Sequence, residues 1–205
     1  ERRRSEEVLR FLVGSGTELA DIRDVDRALD RMVQLAVPVL GDFCAVGLFG
    51  SGKVYTSANE LLPEAARQAL AKVRPPDPTQ EGFSEMRAGK AFFVAEIDPE
   101  RAGRLAGSGL DWIKELGIVS YMLAPVIVGD ELVGVIGVGS AQRSRRYQQS
   151  DLKLLQTLAH RAALALENAR LVSEERAARA RAEEREGQLL GLLDSMWEGA
   201  VVFAQ

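Results

Sequence analysis

Histidine and cysteine each occur once in the chain, as His160 and Cys44, and these two scarcities exclude most of the chemistry a protein of 205 residues could carry. A single cysteine rules out an intramolecular disulfide and a cysteine-based metal cluster. A single histidine, on a helical segment without a Cys, Asp or His companion at ligand spacing, leaves no serine-histidine-acid constellation and no metal site to name. Long apolar runs are missing too: no uncharged stretch approaches the roughly 20 residues of a membrane helix. The opening ERRRSEEVLR places acids where a signal peptide would be apolar, so a cytosolic protein is expected. Charge of one sign is scarce as well. Lys and Arg number 26 against 30 Asp and Glu, a net charge of -4 that gives no footprint for nucleic acid or for an anionic membrane.

What the chain does have is apolar residues, 46% of the total, enough for a real core. Val8, Leu9, Leu12 and Leu19, then Val25, Leu29, Met32, Val33 and Leu35, recur at helical spacing through the first 40 residues. A strand is expected in DFCAVGLF, a turn at Gly50-Ser51-Gly52 and a return strand in KVYTSA. LPEAARQALAKV reads as a helix opened by a proline and closed by Pro75 and Pro76, and the less regular stretch to Gly117 holds a short strand AFFVAEI and a helix LDWIKELG. Then comes APVIVGDELVGVIGVG: two apolar runs around Gly129-Asp130, a dipeptide that tolerates the positive φ of a two-residue hairpin turn. Antiparallel strands usually alternate apolar with polar, yet these are apolar on both sides, so both faces of their sheet must be covered.

From Gln149 the pattern is one long helix. Leu152, Leu155, Ala159, Ala162, Leu166 and Ala169 alternate spacings of three and four, a heptad-like seam that predicts two such helices running parallel in a homodimer over Gln149 to Leu171. Glutamates at Ala162 and Leu166 would then separate the two copies. Further along, Glu175, Ala178, Ala182 and Arg185 continue a seam from Leu171 to Leu189, with residues that specify pairing only weakly.

SYMLAPVIVGDELVGVIGVGSAQRSRRYQQSDLKLLQTLAHRAALALENARL closely resembles the C-terminal half of a GAF domain, through Ser120, Pro125, Gly134 and the run Glu167-Asn168-Ala169-Arg170. The resemblance reaches back to about Leu9. It implies an α+β sandwich: a central antiparallel sheet with a bundle of N- and C-terminal helices on one face, short helices and loops on the other, and a long C-terminal helix. Residues 1–172 would be the sensory domain, 173–190 a coiled-coil-like linker helix, and 191–205 the start of a following module, because LLGLLDSMWEGAVVFAQ looks like the opening of a PAS domain with a first strand in VVF. The function implied is small-molecule sensing in a multidomain bacterial signalling protein such as a sensor histidine kinase, passed to a downstream output domain. The ligand is unidentified. Tyr55, Phe92, Trp112 and Tyr121 are the candidate ligand-binding residues, with Phe93 beside them, and no metal or cofactor is implied. The alternative is a ligand-free dimerisation and spacing element whose pocket is plugged by its own side chains.

Sharper functions in the same family are disfavoured by the residues. Bilin-binding members need a cysteine near the pocket, whereas Cys44 falls in a strand and reads as core. Reduction of methionine sulfoxide needs a second cysteine to resolve the intermediate. The Asn-Lys-Phe-Asp-Glu signature of the cyclic-nucleotide-binding subset does not occur. GLFGSGK, residues 47–53, approaches a phosphate-binding loop, but Val54 replaces the metal-binding hydroxyl and a strand follows where a helix is required. Gly134, Gly137 and Gly139 sit in a strand, where they serve close packing or a bulge. A module without enzymatic activity is therefore expected.

Overall fold

The computed structural model describes residues 25–60, 62–75, 77–79, 83–97, 117–141 and 146–202. The expected helix at the start of the chain and the one in LDWIKELG lie outside these residues, except Gly117. The chain divides into two units, residues 1–166 and residues 167–205.

In the first unit, α1 (Val25–Leu40) is followed by β1 (Phe43–Leu48), β2 (Val54–Ala58), α2 (Glu64–Leu70), α3 (Ser84–Arg87), β3 (Phe92–Val94), β4 (Ser120–Val128) and β5 (Glu131–Ser140). All strand pairings are antiparallel, in the order β2-β1-β5-β4-β3. The last helix, α4 (Gln149–Val202), begins here. At its start Asp151 Oδ2 accepts the Gln148 N–H at 3.0 Å, satisfying a donor that has no partner within the helix.

The sheet is dry on both faces, as its sequence demands. On one side, the helix face, Leu29, Met32, Val33, Ala36 and Leu40 of α1 pack with Leu155, Leu158, Ala159 and Ala162 of α4 over Cys44, Val46, Met122, Ile136 and Val138. Each such leucine or methionine, taken fully out of water, contributes about 1.5–3 kcal/mol before entropy is counted. The other side, the loop face, is covered by Leu62, Ala66 and Leu70 around α2 and by Phe83 and Met86 around α3. Polar side chains of α1 such as Arg27, Asp30, Arg31 and Gln34 stay exposed, which is the helical period seen from outside.

Several expectations need correction. The seam of Leu152, Leu155, Ala159 and Ala162 is the chain's own core, with Leu155 and Ala162 at 0% exposure. It is covered by α1 and the sheet and does not call for a second copy. The helix opened by Pro63 ends at Leu70, short of the prolines; the Lys72 and Val73 N–H groups turn back to Ala69 and Leu70 carbonyls, which lets Leu70 and Val73 both stay buried. In the β4–β5 hairpin only Gly129 has positive φ, +60°, the pattern of a type II′ turn, so Asp130 needs no strained backbone. Finally, Val201 and Val202 lie in the last turn of α4, not in a strand. A helix satisfies its backbone internally, whereas a strand there would need a neighbour to bond.

Candidate functional site

The loop face of the sheet collects the aromatic and soft apolar side chains that a small-molecule site would use. Two glycines of β5 shape it. A β-carbon on Gly139 would sit 2.1 Å from Phe43 Cε1, and one on Gly137 would sit 2.7 Å from Leu123 Cδ2. Without side chains, this strand leaves room for Phe43 of β1 and Leu123 of β4 to lie across it. Gly134 serves differently: its β-carbon would meet the Gly47 carbonyl at 2.5 Å, beside the irregular register between Val126 and Ile127. Close packing and a bulge, the two roles expected of these glycines, are both present.

Phe92 and Tyr121 meet on this face. β3 pairs with β4 so that Phe92 lies opposite Leu123 and Val94 opposite Tyr121, and the two rings stand edge to face, centroids 6.3 Å apart at 77°. Phe92 is half-buried; Tyr121 is buried, with Phe83, Met86 and Ile118 in the same apolar cluster. The residues expected to line one site do not all converge. Tyr55 points to the helix face, since alternate residues of a strand take opposite sides and its neighbour Val54 packs on the loop face. Phe93 shares the helix face with Tyr55. Trp112 lies outside the described residues.

Tyr55 has a different employment. Its hydroxyl donates to Asp26 Oδ1 at 2.5 Å, and Lys53 Nζ lies 2.7 Å from Asp26 Oδ2, so a carboxylate in the first turn of α1 is held by two residues of the β1–β2 hairpin. Lys53, then Tyr55, hold the Asp26 carboxyl below its usual range. The same contact closes the phosphate-loop reading. Lys53 is engaged by Asp26, Gly52 takes a turn conformation at φ +67°, and β2 follows at once.

A second polar cluster, with no local signature among its residues, fastens the ends of β1 and β5. Asp42 is 5% exposed, and its Oδ2 accepts the Ser140 hydroxyl at 2.7 Å and the Ala141 N–H at 2.9 Å. Its backbone also takes part: the Asp42 N–H donates to Gly139 O and its carbonyl accepts from Asn59. A buried carboxylate of this kind is tolerable only with such donors. Ser120, fully buried, pairs with Ser140 across the β4–β5 ladder. The partners of the Asp42 carboxylate named here are almost a hundred residues away, so no local pattern could reveal them.

Cys44 is fully buried on the helix face, and burial pushes its thiol up, away from the reactive thiolate. His160 is exposed on α4. Among the described residues no three of His, Cys, Asp and Glu are grouped to hold a metal ion, and no helix is long and apolar enough to cross a membrane.

The sequence matches the GAF domain family over residues 24–166. The chain belongs to the GAF family. Solved structures agree on the fold. The GAF domain of the cyanobacteriochrome TePixJ shares 22% identity at a TM-score of 0.61, covering 75% of this chain and 95% of its own. A GAF domain from a phosphoenolpyruvate-protein phosphotransferase of Coxiella burnetii shares 18% at 0.59, covering 82% and 98%. A domain of a two-component sensor histidine kinase protein from Sinorhizobium meliloti 1021 shares 18% at 0.52, covering 75% and 97%. No curated protein matches the chain in sequence. The five-stranded antiparallel sheet with α1 and α4 on one face is the GAF α+β arrangement.

Proposed function

We propose that this GAF domain is a cytoplasmic regulatory module that binds a small molecule at the loop face and passes the event through its terminal helices to a downstream output domain, with a PAS-like module next in line. The observation that carries the reading is the loop face itself: the Phe92–Tyr121 pair, with Phe92 half-buried, in one apolar cluster with Phe83 and Met86. Such a surface suits a flat, largely apolar ligand held by contact and without chemistry. Strands β1 and β5 carry Phe43 and Val135 on that face and Cys44, Val46, Ile136 and Val138 on the other, so a shift on one side is felt by the residues packed on α1 and α4. Two copies pairing through the terminal helices would complete the relay.

Relatives with bilins prompt a specific test of fit, since one structural neighbour is a phycoerythrobilin-bound GAF domain from a cyanobacterial phytochrome. The chain's residues do not fit a bilin held through sulfur: its one cysteine, Cys44, is sealed on the opposite face of the sheet from Phe92 and Tyr121. A ligand here is bound non-covalently.

The ligand-free spacer remains a second reading, favoured by the burial of Tyr121, Phe83 and Met86 at 4%, 4% and 0% exposure by the chain's own atoms. Native mass spectrometry of the purified chain separates the two. A retained molecule lost in Phe92→Ala supports sensing; a bare mass, with no melting shift from a small-molecule extract, leaves the spacer.

A further inference from the structure

We infer that the open edge of β2 pairs with β2 of a second copy of this chain, antiparallel and about a two-fold axis at Thr56, joining two sheets into one. The inference rests neither on a ligand at the loop face nor on pairing through the terminal helices. Among the described residues β2 is bonded to a single strand, β1, and lies at the end of the sheet. The ladder between them is fixed at both ends: the Leu48 N–H donates to the Lys53 carbonyl at 2.9 Å and the Asn59 N–H to the Asp42 carbonyl at 2.7 Å. Residues of an antiparallel strand alternate in the side to which their backbone groups turn. Lys53, Tyr55, Ser57 and Asn59 therefore face β1, while Val54, Thr56 and Ala58 present their N–H and C=O groups to the open edge.

An unpaired edge invites a further strand, and natural sheets blunt their edges with short strands, charges, proline or bulges. The opposite edge follows that rule, since β3 has only three residues. The β2 edge does not. VYTSA is five residues long, all of them half-buried, without charge, proline or glycine, and its register with β1 runs unbroken from Val54 to Ala58. Val54 and Ala58 already pack on the loop-face cluster, and Thr56 between them shares that face by alternation.

The residues of the edge select a second copy as the occupant, and its direction. With Thr56 opposite Thr56 of the second copy, Val54 meets Ala58 in both directions, so every outward backbone group of the three residues is bonded and a threonine pair sits between two apolar pairs. Beyond the strand, Glu60 of the second copy comes opposite Gly52, one residue from Lys53, and symmetry repeats this at the other end. Glu60 is exposed, and the Lys53 side chain, although it holds Asp26, is 54% exposed and able to share its charge. Parallel pairing in register would instead set Lys53 beside Lys53 and Glu60 beside Glu60. The neighbouring antiparallel registers each lose a bonded pair. An axis at Tyr55 sets Ala58 against Gly52, whose φ is +67° and whose N–H is already given to the Phe49 carbonyl in the turn; an axis at Ser57 sets Val54 against Glu60, past the end of the strand.

Cysteine cross-linking of the whole chain reads the register. Opposed residues of such a pair have Cα atoms about 5.5 Å apart, within disulfide reach, and native Cys44 is sealed in the core and stays out of exchange. In glutathione redox buffer Thr56→Cys should become mostly covalent dimer, Val54→Cys alone should not, and Val54→Cys mixed with Ala58→Cys should. Amide exchange followed by mass spectrometry reads the unsubstituted chain: protection of residues 54–58 should rise about tenfold or more between low micromolar and submillimolar protein. Thr56→Pro should abolish that rise and keep the fold, because the N–H it removes faces away from β1. Thr56→Lys leaves the backbone unchanged, puts like charges at the axis and should abolish the rise as well. Protection that does not change with concentration, with Thr56→Cys remaining a free thiol, overturns the proposal. Cross-linking of Val54→Cys with itself overturns the antiparallel axis. Self-association in sedimentation that is as strong in Thr56→Lys as in the unsubstituted chain also overturns it, and leaves the terminal helices as the place where copies meet.

Discussion

Ala162 and Ala178 are the same residue in the same helix, and their surroundings could hardly differ more: the first is fully buried, the second exposed. Each lies on an apolar stripe at heptad-like spacing. The spacing states that a face is apolar; it does not state what covers it. Around Ala162 the stripe is dense with leucine and meets α1 and the sheet within the chain. Around Ala178 it is thinned by Glu175 and Arg185 and flanked by charges of both signs, as suits a solvated helix face. A stripe inside a domain tolerates no unpaired charge, whereas an exposed stripe carries charge freely.

The largest expected effect breaks this contrast directly. Ala162→Glu buries a carboxylate among Leu155, Leu158 and the sheet with no donor placed for it, and should cost about 4 kcal/mol or more. Loss of the cooperative thermal transition by circular dichroism is expected. Ala178→Glu should leave the domain's stability within about 0.5 kcal/mol of the unsubstituted chain. Equal, small effects at both positions would mean that the inner half of α4 is not part of the core.

Glycines sharpen the same comparison with a change of sign. Gly139→Ala forces a methyl against the Phe43 ring, which is locked between β5 and the loop-face cluster, and should destabilise by about 1–3 kcal/mol. Gly187 lies in the exposed helix with nothing within 4 Å of a β-carbon, so Gly187→Ala should add helix stability of up to about 1 kcal/mol. Chemical denaturation of the domain reads the first substitution, and helical ellipticity reads the second. Stabilisation by Gly139→Ala would show that Phe43 can move aside, and that its close packing is not what requires a glycine there.

Much of this architecture was legible in the residues because it is governed by short-range pattern. Helical spacing from Val25 to Leu40, the Gly129-Asp130 turn between apolar strands and the helix from Gln149 were each readable over a few residues, and the demand that both sheet faces be covered followed from composition alone. What was not legible depends on partners far away in sequence. The seam through Ala162 looked intermolecular because α1, which covers it, lies more than a hundred residues earlier. Tyr55 looked like a pocket aromatic because strand alternation cannot say which face is which until Val54 or Tyr55 has a neighbour to choose. Phe92 and Tyr121 were singled out for their type, and only the β3–β4 register brings their rings together. Asp42 carried no signal at all, since a carboxylate before a strand is ordinary until Ser140 is beside it.

The smallest effect concerns the exposed tie between α1 and the β1–β2 hairpin. Lys53 and then Tyr55 favour the charged form of Asp26 and lower its folded-state pKa from the ordinary 3.8. A depressed carboxyl contributes stability that is fully present above the unfolded value and is lost as pH falls through the folded one. The contribution should therefore be constant from neutrality down to about pH 5 and fade below about pH 4. Asp26→Asn removes the charge at every pH, so the difference in melting temperature between the two chains should narrow as the buffer is acidified from pH 7 toward pH 3. Tyr55→Phe tests the second cause: with the phenol gone and Lys53 retained, the carboxyl should titrate closer to its ordinary value, so the narrowing should start at the same pH, be smaller in total and be complete at higher pH. A difference that stays flat with pH would show that Asp26 holds α1 by packing alone, and that the Lys53 and Tyr55 contacts are incidental to the stability of the helix face.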